Sequence, residues 1–458
     1  MVGLLEAGCA IAASCPIPNT APVAGNPFVS ISHSQAGPAN PHAGPPVHGR
    51  FQPNKKQIDT PIHLIYSVRK INEGPVNATG QILTLLRDSG PASRADLVRA
   101  TGLSSAGLTK IAASLMQQGI LDERQVDNHS GPGRPPVALS LRSDARYVIG
   151  IHLSAGRTRV VIADVLLNVV AEDGFTFDLN MPVEALVDRT AQIATQLIDT
   201  SRLPRNRLIG IGVGLPGGVD RARRVNIHSS FTNWTNVPFA ALFEERLGLP
   251  AILEHNATAI ALAETQYGRN RSSARTLHVF MGRGIGAGLA QGAHSTERGA
   301  ARGPVEIGHI VLDPEGPPCR CGGRGCLETY FSEQPILQCI GLDAVPPEGL
   351  IARAMESEAW PDLYQRFLQA LSTAVTLLSP DSVGLGGHLH SAPEQLLTDL
   401  RRDLPRRVMP QQREGLTINR TGLDKPIGAR GAACIGLEAF FYRTGPAPLL
   451  STAHMEPA

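Results

Sequence analysis

Glu306-Ile307-Gly308-His309, followed by Cys319-Arg320-Cys321-Gly322-Gly323-Arg324-Gly325-Cys326-Leu327-Glu328, is the most informative stretch of this 458-residue chain. One histidine and three cysteines are the donor set of a closed, structural Cys3His zinc site. Glycines 322, 323 and 325 let the loop curl so that three sulfurs converge. The alternative is a loop of reduced cysteines without an ion. With His309, Cys319, Cys321 and Cys326 all on the metal, no coordination position stays open, so Zn2+ here is structural and not catalytic. The chain has seven cysteines. An odd number, with three in one loop, points to metal and not to a disulfide framework. Cys9, Cys15, Cys339 and Cys434 lack such neighbours and read as plain thiols. A cytoplasmic location is expected.

Outward from this loop the pattern is α/β. Residues 147–153, 158–165 and 168–177 read as three strands joined by short turns, Glu184–Ser201 as an amphipathic helix, and 208–214 as a buried strand. The pattern restarts near 275 with two strands. Residues 350–379 are largely helical, 382–386 a strand, and 426–442 a final apolar helix. Three adjacent strands, then alternating helix and strand, with the pattern restarting near 275, predict a two-lobed ribonuclease-H-like fold. The expected lobes are 144–265 and 266–443, with the last helix packing back on the first lobe. Residues 444–458 form a tail. Residues 16–50, rich in Pro, Gly and Ala, lack periodicity, and 1–75 are expected to be poorly ordered, with a short helix conceivable at 62–71. The mildly apolar residues 4–15 follow no Lys or Arg and are interrupted by Glu6, so no signal peptide is expected. No apolar run reaches the ~18 residues of a membrane span. A net charge of +2 excludes a general polyanion binder, but not a small DNA-reading module, where local charge decides.

Such a module is expected at 76–143. Ile82, Leu83, Leu85 and Leu86 form a helical stripe ended by Gly90-Pro91. Ser93 caps a second helix, Thr101-Gly102-Leu103 turns, and Ser104 caps a third helix running to Gln118. Two strands, 120–125 and 137–141, flank a Gly/Pro-rich loop. Helix, turn, helix and hairpin make a winged helix-turn-helix. Leu103, Leu108, Ile111 and Leu115 would face its core. Ser104, Ser105, Thr109 and Lys110 would face double-stranded DNA, and Arg134 would project from the wing loop towards a minor groove. Gly107 is unfavourable in a helix and suits close approach to the DNA backbone. Seven Lys/Arg, Arg87 among them, against five acids in 77–143 give only weak electrostatic support. A three-helix protein-interaction module and a Pro-rich interdomain linker are the alternatives.

The ExxGH and CxCGxxGCxE motifs resemble the signature of the ROK family of sugar kinases and sugar-responsive repressors. Asn256-Ala257 with Ala261-Leu262-Ala263-Glu264 is similar to the family's NDAxxxALAE helix, and Gly386-Gly387 to its late GG turn. Residues 93–104 and the GRPP wing look like the repressor branch. The resemblance covers most of 77–442. It implies a bilobal actin-like ATPase fold, zinc on His309, Cys319, Cys321 and Cys326, and frequent homodimers or higher assemblies. It places sugar-hydroxyl contacts on Glu306, His309 and Glu328, with the family's ND pair on His255 and Asn256. Support of the zinc loop is the alternative role for Glu306 and Glu328.

Phosphoryl transfer needs a base and a phosphate cradle, and three parts of that machinery depart from the family. Asp-x-Gly-Gly-Thr becomes His152-Leu153-Ser154-Ala155-Gly156. Gly-Thr-Gly-x-Gly becomes Gly282-Arg283-Gly284-Ile285-Gly286. The catalytic Asp becomes Asn256, so no catalytic residue is expected. Val305 and His255 also depart, which puts the identity of the sugar in doubt. The expectation is a non-enzymatic, DNA-binding regulator, a repressor of carbohydrate-related genes, controlled by a sugar or sugar derivative that binds Asn256, Glu306, His309 and Glu328. The alternatives are a ligand-independent regulator that uses the ROK domain for dimerisation or partner docking, and an active sugar kinase.

Overall fold

The computed structural model describes residues 76–125, 137–268, 271, 275–291, 303–443 and 445. The expected N-terminal extension, the loop carrying Arg134 and nearly all of the tail lie outside the described residues.

The first module starts with α1 (Ala78–Ser89), β1 (Ala92–Ser93), α2 (Arg94–Thr101) and α3 (Ser105–Gln117), and closes with β2 (Leu121–Gln125) and β3 (Val137–Leu141). The helix starts are dictated locally. Asn77 accepts from the Gly80 amide at 2.8 Å. Ser93 and Asp96 form a reciprocal capping box, and Ser104 accepts from the Gly107 amide at 3.1 Å. Each cap satisfies an amide that the helix cannot. The three strands form one antiparallel sheet in the order β1-β3-β2.

The second unit begins with β4 (Tyr147–Ser154), β5 (Arg157–Asp164) and β6 (Val169–Thr176), then α4 (Val183–Ser201) and β7 (Leu208–Leu215). A small antiparallel sheet of β8 (Gly218–Asp220), β9 (Val225–Ser229) and β10 (Trp234–Val237) precedes α5 (Phe239–Leu247), β11 (Ala251–His255) and α6 (Asn256–Tyr267). The main sheet runs β11-β7-β4-β5-β6, with β4, β7 and β11 parallel and β5 antiparallel to both neighbours. The third unit repeats this plan. It contains β12 (Arg275–Met281), β13 (Ile285–Gln291), β14 (Gly303–Val305), α7 (Glu333–Cys339), α8 (Leu350–Met355), α9 (Trp360–Leu378), β15 (Ser382–Gly387), α10 (Glu394–Asp403), α11 (Pro410–Arg413), β16 (Thr417–Arg420) and α12 (Ile427–Leu437). Its sheet runs β14-β13-β12-β15-β16, the same order with the same pattern of parallel and antiparallel pairs.

Strands β4 and β7 are almost wholly apolar because both faces of their sheet are covered. One face packs on α4 and α5 through Ile149, Ile151, Val213, Leu186, Val187 and Phe243. The other packs on α12, whose backbone comes so close that Gly150 and Gly212 leave no space for a side chain. The apolar cluster on that face continues without a break into the first module, where it includes Ile82, Leu86, Leu108, Leu115 and Leu139.

Sequence patterning missed several elements. The small sheet, α5, β11 and β16 are short, and their apolar positions are set by neighbours distant in sequence. The final helix is also not uniform: α12 gives way to a π turn over Glu438–Tyr442. The largest correction concerns charge. Arg87 is buried and paired with Asp88 and Glu438. Arg94 pairs with Glu123, Arg99 with Asp96, and Arg142 with Asp144. Lys110 and Arg124 are the cations of the module with no ion-pair partner among the described residues.

Candidate metal centre and ligand cleft

The cysteine loop is shaped by its own backbone. The Cys319 amide donates to the Gly323 carbonyl at 2.8 Å, and the Gly322 amide to the Cys319 carbonyl at 3.0 Å. Gly325 has φ +60°, and any side chain there would overlap the Asp313 carbonyl. Glycine is therefore required where the loop turns back, and bridges Val311–Cys326 and Pro318–Arg324 close it.

This closure brings together the His309, Cys319, Cys321 and Cys326 donor atoms, all within 4.8 Å of one another. His309 Nδ1 lies 3.6 Å from Cys319 Sγ, and Cys321 Sγ 3.7 Å from Cys326 Sγ. A tetrahedral zinc with ordinary bond lengths separates sulfur from sulfur by about 3.8 Å and nitrogen from sulfur by about 3.5 Å. The donor set and its edges therefore fit a tetrahedral cation. Three thiols this close also resist ionising together: burial, and hydrogen bonds in which Cys326 donates to Cys319 and Cys321, push Cys326 up to about 12. A bound cation would relieve that repulsion. With Nδ1 facing the thiols, Nε2 is left as the other ring nitrogen for a neighbour.

The cleft beside the loop gathers Glu306, Glu328, His309 and His255. Glu306 is exposed, at the end of β14. Glu328 is 8% exposed, accepts from the Ile285 amide at 3.1 Å, and lies near enough to His309, Arg320 and Glu306 to interact with their charges. Burial raises its carboxyl above the usual range. His255 faces Glu306, yet burial outweighs that carboxylate and keeps its imidazole below the ordinary value. Gly284 lies over Glu328 and Phe231, and a side chain there would strike the carboxylate. The Arg320 guanidinium stands 5.1 Å from the Phe231 ring centroid. Arg320 and Phe231 escaped sequence reading. The first stood as a spacer between two cysteines, and the second lies beside the small sheet that carried no motif.

Asn256, at the start of α6, is used differently from a base. Its Nδ2 donates to the Leu153 carbonyl at 2.8 Å, and its Oδ1 is buried with no hydrogen-bond partner among the described residues. Across the cleft, Arg283 Nη1 donates to the Ala155 carbonyl at 3.0 Å. Two donors thus hold the 153–155 turn, one from each unit. His152 is half-buried with its ring against Gly428, and desolvation aided by the charge of Arg157 lowers its imidazole to about 4.

The ROK family sequence profile matches residues 148–439. The chain belongs to the ROK family. One ROK relative, the DNA-binding transcriptional repressor Mlc of Escherichia coli (strain K12), is 24% identical over 375 residues, which cover 78% of this chain and 92% of that protein. The xylose repressor of Bacillus spizizenii (strain W23) is 26% identical over 385 residues, 81% of this chain and 96% of the relative. A solved ROK family transcriptional regulator, a homologue of the E. coli Mlc protein, matches with a TM-score of 0.67 at 22% identity, covering 81% of this chain and 97% of its own. This last likeness is one of fold, a mixed α/β ROK sugar-kinase-like architecture.

Outside the ROK match, Ser104, Ser105, Thr109 and Lys110 are all exposed at the start of α3. The Thr109 hydroxyl donates to the Ser105 carbonyl at 2.8 Å, so it meets an incoming partner as an acceptor. Among the described residues, no helix is long and apolar enough to cross a membrane.

Proposed function

We propose that this ROK protein is a sequence-specific, DNA-binding transcriptional regulator of carbohydrate-related genes, acting as a repressor in the cytoplasm, with a sugar or sugar derivative as effector and without kinase activity. Residues 76–143 serve as a winged helix-turn-helix, and 144–265 and 266–443 as the two ROK lobes. The observation that carries this reading is the exposed, short-chained face of α3, set in a capped helix-turn-helix ahead of the ROK match. Ser104, Ser105, Thr109 and Lys110 lie against the major groove, and Arg134 is assigned to the wing. Relatives named as a DNA-binding repressor and a xylose repressor, aligned over most of their own length, support the same reading.

Glu306, Glu328, His309 and Asn256 are the effector contacts. Carboxylates suit sugars because each accepts from two hydroxyls. Structural zinc on His309, Cys319, Cys321 and Cys326 holds the loop that carries two of these contacts. Against phosphoryl transfer stand the amide at 256, already donating to Leu153, and Arg283, which occupies the turn where a phosphate cradle would lie. A homodimer, or a dimer of dimers, would place two α3 helices on a two-fold operator.

The test is binding of the full chain to DNA from upstream of its own gene, against shuffled DNA, across rising KCl. The expected result is a preference for the native fragment and affinity that falls with salt. Equal binding to both fragments overturns the reading. A ligand-independent regulator is favoured by one observation, the ties of Asn256 and Arg283 to the 153–155 turn. Thermal shifts with a panel of sugars and sugar phosphates separate the two readings.

A further inference from the structure

Helix α6 joins two places that matter on this reading. At its start, His255 and Asn256 enter the ligand cleft, and His255 Nδ1 and Asn256 Oδ1 are buried without a partner among the described residues. At its end, Gln266 and Tyr267 enter a buried polar knot built around Arg87 of α1.

Three segments remote in sequence meet in that knot. Arg87 Nη1 donates to Gln266 Oε1 at 3.0 Å and pairs with Glu438 Oε1 at 2.6 Å. Its Nε pairs with Asp88 at 2.8 Å. The guanidinium also lies 5.2 Å from the Tyr267 ring centroid and 4.6 Å from that of Tyr442. Arg271 donates to the Arg87 and Asp88 carbonyls, each at 3.3 Å. A planar fork of five donors that also stacks on aromatic rings is what this geometry needs, and lysine has neither property. A buried guanidinium is tolerated only while these partners stay in place, so the knot fixes α1 to the end of α6.

Between its ends α6 is a stiff rod. Every residue from Ala257 to Gln266 is buried, and its length is about 18 Å at 1.5 Å per residue. The Glu264 carboxylate accepts from the Gly422 amide at 2.8 Å and the Leu423 amide at 3.2 Å. A close-packed helix moves as a unit, because neighbours on every side resist local bending. Helix α1 in turn shares one apolar core with α2 and α3 through Ile82, Leu83, Leu86, Leu97, Leu108 and Leu115.

We propose that α6 is a strut from the ligand cleft to the DNA-reading module, and that Arg87 is the positioning residue that couples them. Displacement of the 255–256 end then re-aims α3 through α1, although Arg87 touches neither effector nor operator. This inference rests on the DNA-binding reading for its consequence, but the mechanical link stands apart from it.

The experiment is a double-mutant cycle in the full-length chain, with Asn256→Ala as the probe at the cleft end, so that no effector need be known. Affinity for the upstream DNA fragment and amide hydrogen exchange of residues 78–89 are measured for Asn256→Ala, Arg87→Met and the double variant. The expected result is that Asn256→Ala alters both readings, and that Arg87→Met removes the response, leaving a non-additivity of about fivefold or more in affinity. Glu438→Gln keeps the volume and removes one charge; it should weaken the response in the same sense, and it carries the comparison if Arg87→Met does not fold. Additive affinities with no exchange response at 78–89 overturn the strut. If the unaltered chain shows no preference for its upstream DNA, the regulatory reading fails. Exchange then decides alone, and a response at 78–89 that survives Arg87→Met overturns the coupling role.

Discussion

At the scale of single residues, Asn256 and His152 set definite conditions on stability. An amide can donate to the Leu153 carbonyl and a carboxylate cannot. Asn256→Asp is therefore expected to lose that bond and set two acceptors against each other, destabilising the chain by about 1–3 kcal/mol at pH 7. Urea unfolding of the two proteins checks this, and an unchanged midpoint contradicts it. On the proposed reading, no hexose phosphorylation is expected in this variant, because Arg283 still holds the turn. His152 gives a pH dependence with a definite sign. Its folded pKa of about 4 lies below the ordinary 6.5, so below pH 6.5 the unfolded chain takes up a proton that the folded chain refuses. This component of stability is full above pH 6.5 and is lost as pH falls towards 4, at up to about 1.4 kcal/mol per unit. His278, buried and lowered to about 3, acts in the same direction. Urea titrations between pH 7 and 5 should show a shallower loss in His152→Asn, by roughly one proton's worth of slope.

At the scale of elements, the cysteine loop and α3 carry the clearest expectations. Metal analysis of purified protein should find one zinc per chain, and Cys326→Ser should release it and lower the melting temperature. Full zinc occupancy in that variant would remove Cys326 from the ligand set. On α3, a methyl group at Gly107 would meet only the Ser104 hydroxyl, at 3.1 Å. Gly107→Ala should raise folding stability by up to about 1 kcal/mol provided Ser104 Oγ can shift by a few tenths of an ångström and keep its cap bond. If the glycine serves close approach to DNA, the same variant should bind the upstream fragment more weakly. Lys110→Ala should weaken binding on all sequences and reduce the slope of log affinity against log salt by about one. The elements legible in sequence were those whose signals are local. Ser93, Ser104 and Gly102 mark helix ends by their own chemistry, and Cys319, Cys321 and Cys326 converge through the glycines between them. The strand at 417–420 carries no such mark, because it pairs with residues 382–385, and the hairpins at 218–237 pair locally but are too short to show a periodic pattern.

At the scale of the whole molecule, the second α/β unit was readable because strands restart near 275, but the shared strand order of the two sheets was not. Nor was the direction of the charges. Seven cations in the first module suggested modest attraction for DNA, but the fold spends four of them on internal pairs. Arg87 stood in the sequence as one positive charge among several, and nothing nearby announced that its partners are Gln266 and Glu438. Arg283 was legible as a departure from a motif, but its bond to Ala155 across the cleft was not. Arg283→Ala should loosen the hold of one lobe on the other. Small-angle scattering is expected to show a larger radius of gyration for the variant, and an unchanged radius would show that the bond does not set the closure.

The junction of Arg87 with Glu438 spans 351 residues of sequence, and this bears on the order in which the protein is made. Ribosomes add about 5–20 residues per second. The first helix therefore leaves the ribosome roughly 20 to 70 seconds before the segment it must rest on has been synthesised. Until then Arg87 has neither its carboxylate at 438 nor its ring at 442, and the apolar face of α1 lacks its floor. The first module emerges early but is finished last, so a nascent chain does not yet present it as a completed surface.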